Sequence, residues 1–243
     1  MELTKAQKEQ VERQLRQHNR NDVKAKLTIK EGEDFELIIK RGVFGSDFMS
    51  SGMYLVRFLY HHQDLFSNKL CLDMGCGSGI QGLVMARYGA KHVDLADINK
   101  KAVENTKENI KLHNLQKKTK AYVSDLFTNL PKDKKYEVIL FNHPFYSEEA
   151  ENFGKEFFDD VILRKSMLGG TELIKRFFRE VKSHLKDKNS LIIMPYFHFA
   201  GKENDPARHV KDYDLYVFNE ERIKSNQGIQ LGEISMYVIK QKN

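Results

Sequence analysis

The sequence predicts an α/β protein built on a mostly parallel sheet with helices on both faces, closed at its end by an antiparallel strand pair. Two patterns carry this. From Lys69 onward short apolar runs alternate with amphipathic stretches, the mark of strands joined by crossover helices. Near the end, two strand-like runs, Asp214–Ile223 and Glu233–Lys240, are separated by only nine residues, Lys224–Gly232. That gap is too short for a crossover helix, so the two strands pair antiparallel around a turn centred on Asn226-Gln227-Gly228.

The elements follow in order. The first 30 residues are polar and read as a helix leading into a strand. They hold eight Lys/Arg (Lys5, Lys8, Arg13, Arg16, Arg20, Lys24, Lys26, Lys30) against four acids. Lys26–Lys30 and Phe35–Ile39 flank Glu31-Gly32-Glu33-Asp34 and form a hairpin. A helix from about Ser51 to Phe66 presents Leu55, Phe58, Leu59 and Leu65. These pieces make an N-terminal extension, residues 1–68. Residues 69–243 form the main domain. Its strands are Leu70–Met74, His92–Ala96, Lys120–Val123, Tyr136–Phe141 and Ser190–Pro195, and its helices Ile80–Ala90, Lys100–His113 and Thr171–Leu185. The last helix carries Ile174, Phe177, Phe178, Val181 and Leu185 at three- and four-residue spacing, a buried stripe, with Thr171 as its cap. Glu148–Phe158 reads as an irregular loop.

Composition narrows the function. The chain has 243 residues, 40% apolar and 30% charged, enough for one sizeable core. No apolar run reaches membrane-spanning length and no signal sequence is recognisable. Two cysteines, Cys71 and Cys76, are too few for a disulfide framework, and a reducing, cytoplasmic setting is expected. The histidines and cysteines lack metal-ligand spacing, so no metal is expected. The formal net charge of +6 invites nucleic-acid binding, although most of it lies in the first 30 residues. Lys117, Lys118, Lys120, Lys132, Lys134 and Lys135 gather on loops at one end of the sheet, as solvated surface or as an RNA-facing patch.

Leu70-Cys71-Leu72-Asp73-Met74-Gly75-Cys76-Gly77-Ser78-Gly79-Ile80 is the most informative stretch. A strand runs into three alternate glycines and then a helix, so backbone approaches a ligand with no Cβ in the way and the helix start offers free N–H groups. Asp97 closes the next strand 22 residues after Gly75, the place of a ribose-binding acid. The G-x-G-x-G spacing differs from the dinucleotide fingerprint, and Asp73 before it disfavours a pyrophosphate while suiting a cationic or amino-bearing ligand. Cys76 reads as a small residue chosen for space.

This stretch resembles motif I of class I S-adenosylmethionine (AdoMet)-dependent methyltransferases, and the resemblance runs from about Gly42 to Pro195. It implies a Rossmann-like seven-stranded sheet and AdoMet as cofactor. By it, Asp73, Gly75, Cys76, Gly77 and Gly79 lie against the cofactor, Asp97 and Ile98 at its ribose, and Asp125 and Leu126 at its adenine. Asn142-His143-Pro144-Phe145-Tyr146 resembles the Asn-Pro-Pro-Tyr/Phe motif of N-methylating members. There Asn142 and the His143 backbone carbonyl would accept both N–H groups of a planar amine or amide and aim its lone pair at the methyl group, and Phe145 would stack on it. His143 departs from the motif's first proline: it either replaces a rigid residue or touches substrate. Met167-Leu168-Gly169-Gly170-Thr171 at a helix start, after a polar insert, resembles the HemK-type glutamine methyltransferases and their "methyltransferase small domain" relatives. In those families the segment Gly42–Phe48 closes over AdoMet, making Phe44 and Phe48 lid or substrate contacts. The acceptor is then a base in RNA or DNA, unstacked into the pocket, or a protein glutamine of translation-factor type. A catalytically silent AdoMet-binding module and a nicotinamide-dependent oxidoreductase stand as alternatives.

Overall fold

The computed structural model describes residues 4–18, 21–44, 51–145, 169–225 and 232–242. Helix α1 (Lys5–His18) precedes a hairpin of β1 (Val23–Lys30) and β2 (Glu33–Ile39). Helix α2 (Ser51–His61) follows, then β3 (Leu70–Met74), α3 (Ile80–Arg87), β4 (His92–Asp97), α4 (Lys100–Leu112), β5 (Thr119–Val123) and β6 (Val138–Phe141). After these come α5 (Gly170–Val181), β7 (Leu191–Phe197), β8 (Leu215–Ser225) and β9 (Gly232–Gln241).

The seven-stranded sheet has the order β5-β4-β3-β6-β7-β9-β8. Strands β3 to β7 are parallel, and β9 pairs antiparallel with both β7 and β8. The expected α/β class, mostly parallel sheet and antiparallel end are therefore present. The strand order reverses direction at β3, which lies between β4 and β6. In sheets of this kind the crevice beyond the carboxyl ends at such a reversal is where ligands bind.

The central strands read as unbroken apolar runs because both faces are covered. Cys71, Val138, Leu140 and Ile193 pack into one core with α2, α3 and the hairpin. Leu72, Ile139, Phe141, Ile192 and Met194 point the other way and pack against Ile174, Phe177, Phe178 and Val181 of α5. That alternation is the two-residue period of the pleat. The hairpin uses the same period, burying Ala25, Leu27, Ile29, Phe35, Leu37 and Ile39. Its outer face is charge-balanced by ion pairs between Lys26 and Asp34 and between Lys30 and Glu33.

Several boundaries differ from the sequence reading. The hairpin turn shortens to Glu31-Gly32, with Gly32 at φ +77°. Helix α2 stops at His61 and a 3₁₀ turn, Gln63–Leu65, follows. Helix α5 gives way to a 3₁₀ turn at Lys182–His184. Its cap is Gly169, not Thr171. The Thr171 hydroxyl instead lies 3.1 Å from the Glu203 carbonyl and 3.0 Å from Asn204 Oδ1, so a tertiary tie replaces the local cap. Residues 198–213, which carry no helical or strand period, form a run of 3₁₀ turns over the β7–β9 end of the sheet. The readings for Glu148–Phe158, Asn226-Gln227-Gly228, Phe48 and Tyr146 lie outside the described residues. Among those described, no helix is long and apolar enough to cross a membrane, and no group of three candidate metal ligands occurs.

Candidate active site

The glycine loop leaves β3 at the carboxyl edge of the sheet. Gly75, Gly77 and Gly79 have φ of +67°, +55° and +90°, a region that side chains with a Cβ rarely adopt. At Gly77 the reason is also steric: a Cβ there would stand 2.7 Å from the Phe44 carbonyl oxygen. That oxygen accepts from the Ser78 N–H at 3.2 Å, and Asn99 Nδ2 donates to Gly42 O at 3.0 Å. The Gly42–Phe44 segment thus lies against the loop. The loop is fastened beneath by Thr106 Oγ1, which donates to Gly77 O at 3.0 Å, and by Asn109 Nδ2, which donates to Ser78 O at 2.9 Å.

Asp97 ends β4 directly across from the loop. Its Oδ2 accepts from Gly77 N–H and its Oδ1 from Asn99 N–H, both at 2.8 Å. Burial raises its pKa, and these two N–H groups partly oppose that. Each carboxylate oxygen keeps a further lone-pair direction, so the group can still accept from a diol. Ile98 beside it is 37% exposed, an apolar surface at the rim. A carboxylate for two hydroxyls, an apolar shelf and a loop permitting close backbone approach fit AdoMet.

Asp73 sits differently from the sequence reading. It is 1% exposed, and its Oδ2 accepts from the Gly82 N–H at 2.8 Å. Burial pushes its carboxyl up to about 7, opposed by the Gly82 bond and reinforced by Asp97. The Gly82 bond ties the start of α3 to β3 beneath the loop. Cys76 is buried between the glycines, with Sγ 3.5 Å from Thr106 Oγ1, in keeping with a small residue chosen for space.

Asp125 and Leu126 follow β5. Leu126 is buried with φ +44°, an uncommon conformation for a residue with a Cβ. The turn around it is held by Ser124 Oγ, which donates to Leu126 O at 2.6 Å and accepts from Asn129 N–H at 3.0 Å. Asp125 forms an ion pair with Arg176 of α5, a partner the sequence pattern did not reveal.

The tetrad leaves β6 next to the loop, since Met74 and Phe141 are register partners across β3 and β6. Asn142, Pro144 and Phe145 are partly exposed, whereas His143 is buried. The His143 ring stacks on Tyr196 at 6.1 Å and 10°, and meets Phe145 edge-on at 5.1 Å. Burial pushes its pKa down to about 3, despite backbone groups of Asn204 and Phe141 that favour the charged form. A neutral imidazole in an aromatic nest fits the packing reading of this departure from the motif, because a 2% exposed ring offers little to a substrate.

The lysines read as solvated surface or an RNA-facing patch precede β5 and β6 or, for Lys120, open β5, at the amino ends of the strands and opposite the glycine loop. Several are engaged: Lys134 with Asp94 at 2.6 Å, Lys118 with Ala86 O at 3.4 Å, and Lys135 with Ser183 O. Asn105, Thr106 and Asn109 were also missed as contributors. Their signal was polar side chains sharing a helix face with Ala102 and Ile110.

Residues 34–204 match the family model "Methyltransferase small domain". A Methanocaldococcus jannaschii protein named for N5-glutamine methylation of protein is 35% identical over 123 residues, 49% of this chain and 57% of that protein. The release factor glutamine methyltransferase of Streptococcus pneumoniae is 30% identical over 138 residues, 54% of this chain and 47% of that one. The chain thus spans less than two thirds of the length of these relatives. In fold, it resembles the T. thermophilus 16S rRNA methyltransferase solved with AdoMet and guanosine, with a TM-score of 0.62 at 15% identity over 92% of this chain and 50% of that one. With residues 34–204, well over half of its length, matching that model, the chain belongs to the methyltransferase small domain family.

Proposed function

We propose that the protein transfers the methyl group of AdoMet to a planar nitrogen, and that a glutamine amide of a protein acting in translation is the acceptor. The observation that carries the reading is the Asn142–Phe145 tetrad at the carboxyl end of β6, one strand from the glycine loop. AdoMet, when bound, supplies a methyl group on a sulfonium, already activated for transfer. The chain's own residues then hold and aim the acceptor. The Asn142 side-chain oxygen and the His143 carbonyl accept the two N–H groups of an –NH₂, which localises a lone pair otherwise shared with the carbonyl or ring. Phe145, partly exposed, stacks on the planar group and fixes the approach.

The choice of protein over nucleic acid rests on charge and kinship. Among the described residues, the loop lysines lie at the far end of the sheet, and on the hairpin's outer face Lys26 and Lys30 are paired with Asp34 and Glu33. Two relatives given above are named for glutamine methylation. The test is transfer of labelled methyl from AdoMet into a cell extract, followed by protease or RNase. Label released by protease and recovered as methylglutamine is expected; label released by RNase would move the acceptor to an exocyclic amine of a base. Asn142→Ala should abolish labelling while leaving AdoMet bound, and full labelling by that variant would remove the tetrad from the mechanism.

A further inference from the structure

The amino ends of the strands, opposite the glycine loop, carry a charge that the reaction does not use. Residues 116–120, 131–135 and 186–188 lead into β5, β6 and β7. Residues 240–242 return to the same end, because β9 runs antiparallel to β7 with Ile239 opposite Ile192. These four segments contain ten lysines against two acids, Asp133 and Asp187. Their net charge of +8 exceeds the +6 of the whole chain, so the remainder carries a slight negative excess. From outside the segments, Asp94 neutralises Lys134 at 2.6 Å and Glu137 neutralises Lys186 at 3.0 Å.

The unpaired lysines are spread one to a strand. Lys117 precedes β5, Lys91 precedes β4, Lys132 lies in the loop entering β6, Lys188 precedes β7, and Lys242 follows β9. All five are exposed. Among the described residues, none of their ammonium groups makes a hydrogen bond or ion pair. In the strand order they follow one another from β5 to β9 with only β3 passed over, where Lys69 Nζ donates to Leu65 O. At about 4.8 Å for each step between strands, the row is roughly 24 Å long.

At the β9 end of this row the edge strand β8 exposes two rings. Tyr216, opposite Lys240, is 38% exposed and Phe218 is 55% exposed. Phe218 is the extra residue of a bulge, since Val217 pairs with Ile239 and Asn219 with Val238. Such an insertion re-aims a side chain out of the regular ladder. Lys240 Nζ lies 3.5 Å from the centre of the Phe218 ring, which sets a charge and a π face side by side.

We infer that this end of the sheet is a docking surface for single-stranded RNA, separate from the methyl-transfer site at the other end. A line of unpaired ammonium groups suits a linear polyanion, whose phosphates displace counterions as they meet the lysines. Tyr216 and Phe218 offer flat faces on which unpaired bases stack, a use that neither an acidic peptide nor a lipid headgroup would make of them. Contacts to phosphate fix position and carry no sequence information, so the surface is sequence-tolerant. The inference goes beyond the methyl-transfer reading and does not depend on the acceptor. An RNA held at the amino ends leaves the carboxyl ends free for a protein substrate.

The test is fluorescence anisotropy of a labelled single-stranded RNA of mixed sequence, titrated with the full chain over a series of KCl concentrations. Binding is expected, with log K falling against log[KCl] at a slope of about −3.5, as for five phosphate contacts on a single strand. Replacing Lys91, Lys117, Lys132, Lys188 and Lys242 together by Gln should weaken binding by about 10²-fold or more and flatten the slope. Phe218→Ala should weaken it by roughly 5- to 10²-fold and leave the slope as it is, because stacking releases no counterions. Lys5→Gln with Lys24→Gln, in the N-terminal extension, should bind as the wild type does. AdoMet affinity should be unchanged in every variant, since none of these residues lies in the glycine loop or the tetrad. Loss of binding in the N-terminal variant with none in the five-lysine variant would overturn the proposal. So would a wild type that binds no RNA and sediments with phosphatidylglycerol vesicles instead. A chain that methylates nothing in the cell extract would overturn the methyl-transfer reading and leave this one standing.

Discussion

Arg176 reaches from α5 to Asp125, with Nη2 2.9 Å from Oδ1, so the carboxylate that family resemblance assigns to adenine is already held at one oxygen. Both side chains are partly exposed, and an ion pair of this kind contributes only about 0.2–1 kcal/mol by itself. Its value is positional. Asp125→Ala removes a charged acceptor and should weaken AdoMet binding by roughly 10- to 10²-fold, whereas Arg176→Ala should cost about 5-fold or less. Titration calorimetry measures both; tighter binding by Arg176→Ala would mean that the arginine competes with the cofactor.

Asp97 serves the protein before any ligand arrives, since it accepts from Gly77 and Asn99 backbone N–H groups. Asp97→Ala should therefore lose AdoMet affinity by about 10²-fold or more and also lower Tm, because two backbone donors lose a charged acceptor. AdoMet affinity retained by this variant would end the ribose assignment.

Two glycines, one in α3 and one in the loop before it, resist replacement by alanine. Alanine is ordinarily better than glycine inside a helix by about 1 kcal/mol, yet Gly82→Ala in α3 should destabilise, because its Cβ would meet Leu95 Cδ2 at 2.6 Å and Asp73 Oδ2 at 2.9 Å. Gly77→Ala combines positive φ with a clash on Phe44 O and should displace the loop, at a cost of about 1–3 kcal/mol. Urea titration gives both values. Unchanged stability in Gly82→Ala would show that Leu95 and Asp73 yield easily.

The buried His143 makes stability depend on pH with a definite sign. Its folded pKa is about 3, below the ordinary imidazole value near ~6.5, so the unfolded chain takes a proton first. Stability from this group is complete above that ordinary value and is lost as pH falls toward the folded one. Between pH 7 and pH 5 the wild type should lose about 2 kcal/mol more than His143→Phe, whose ring also suits the nest of Phe141, Phe145 and Tyr196. Denaturant midpoints at the two pH values test this; parallel losses would show that His143 is protonated in the folded protein.

The sequence carried what depends on local pattern. Strand–glycine–helix at 70–80, the acid ending β4 and the tetrad after β6 are each contiguous, so their chemistry could be named before their geometry was known. The short Lys224–Gly232 gap announced the antiparallel end for the same reason. What stayed hidden joins distant positions. Arg176 and Asp125 lie on separate elements, and the hydrogen-bonded His198, Ser235 and Glu220 lie just past β7, in β9 and in β8, strands whose order in the sheet no periodicity records. Thr171 looked like a helix cap because caps are local, and a contact with residues 203 and 204 took it instead. The bond between Asp73 Oδ2 and the Gly82 N–H was hidden too, because nothing in the pattern brings those two positions together.

Asn109 accepts from Ile38 N–H at 2.8 Å, donates to Ile38 O at 2.8 Å, and donates to Ser78 O at 2.9 Å. One amide thus bridges a hairpin strand and the glycine loop, and Asn105 repeats the hold on Ile38 and on Lys40 N–H. The hairpin can therefore act as a reporter of the loop. When AdoMet quiets the loop, hydrogen exchange at the Ile38 and Lys40 amides should slow in step with exchange at Gly77 and Ser78. Asn109→Ala should uncouple the two, leaving the hairpin's exchange indifferent to cofactor.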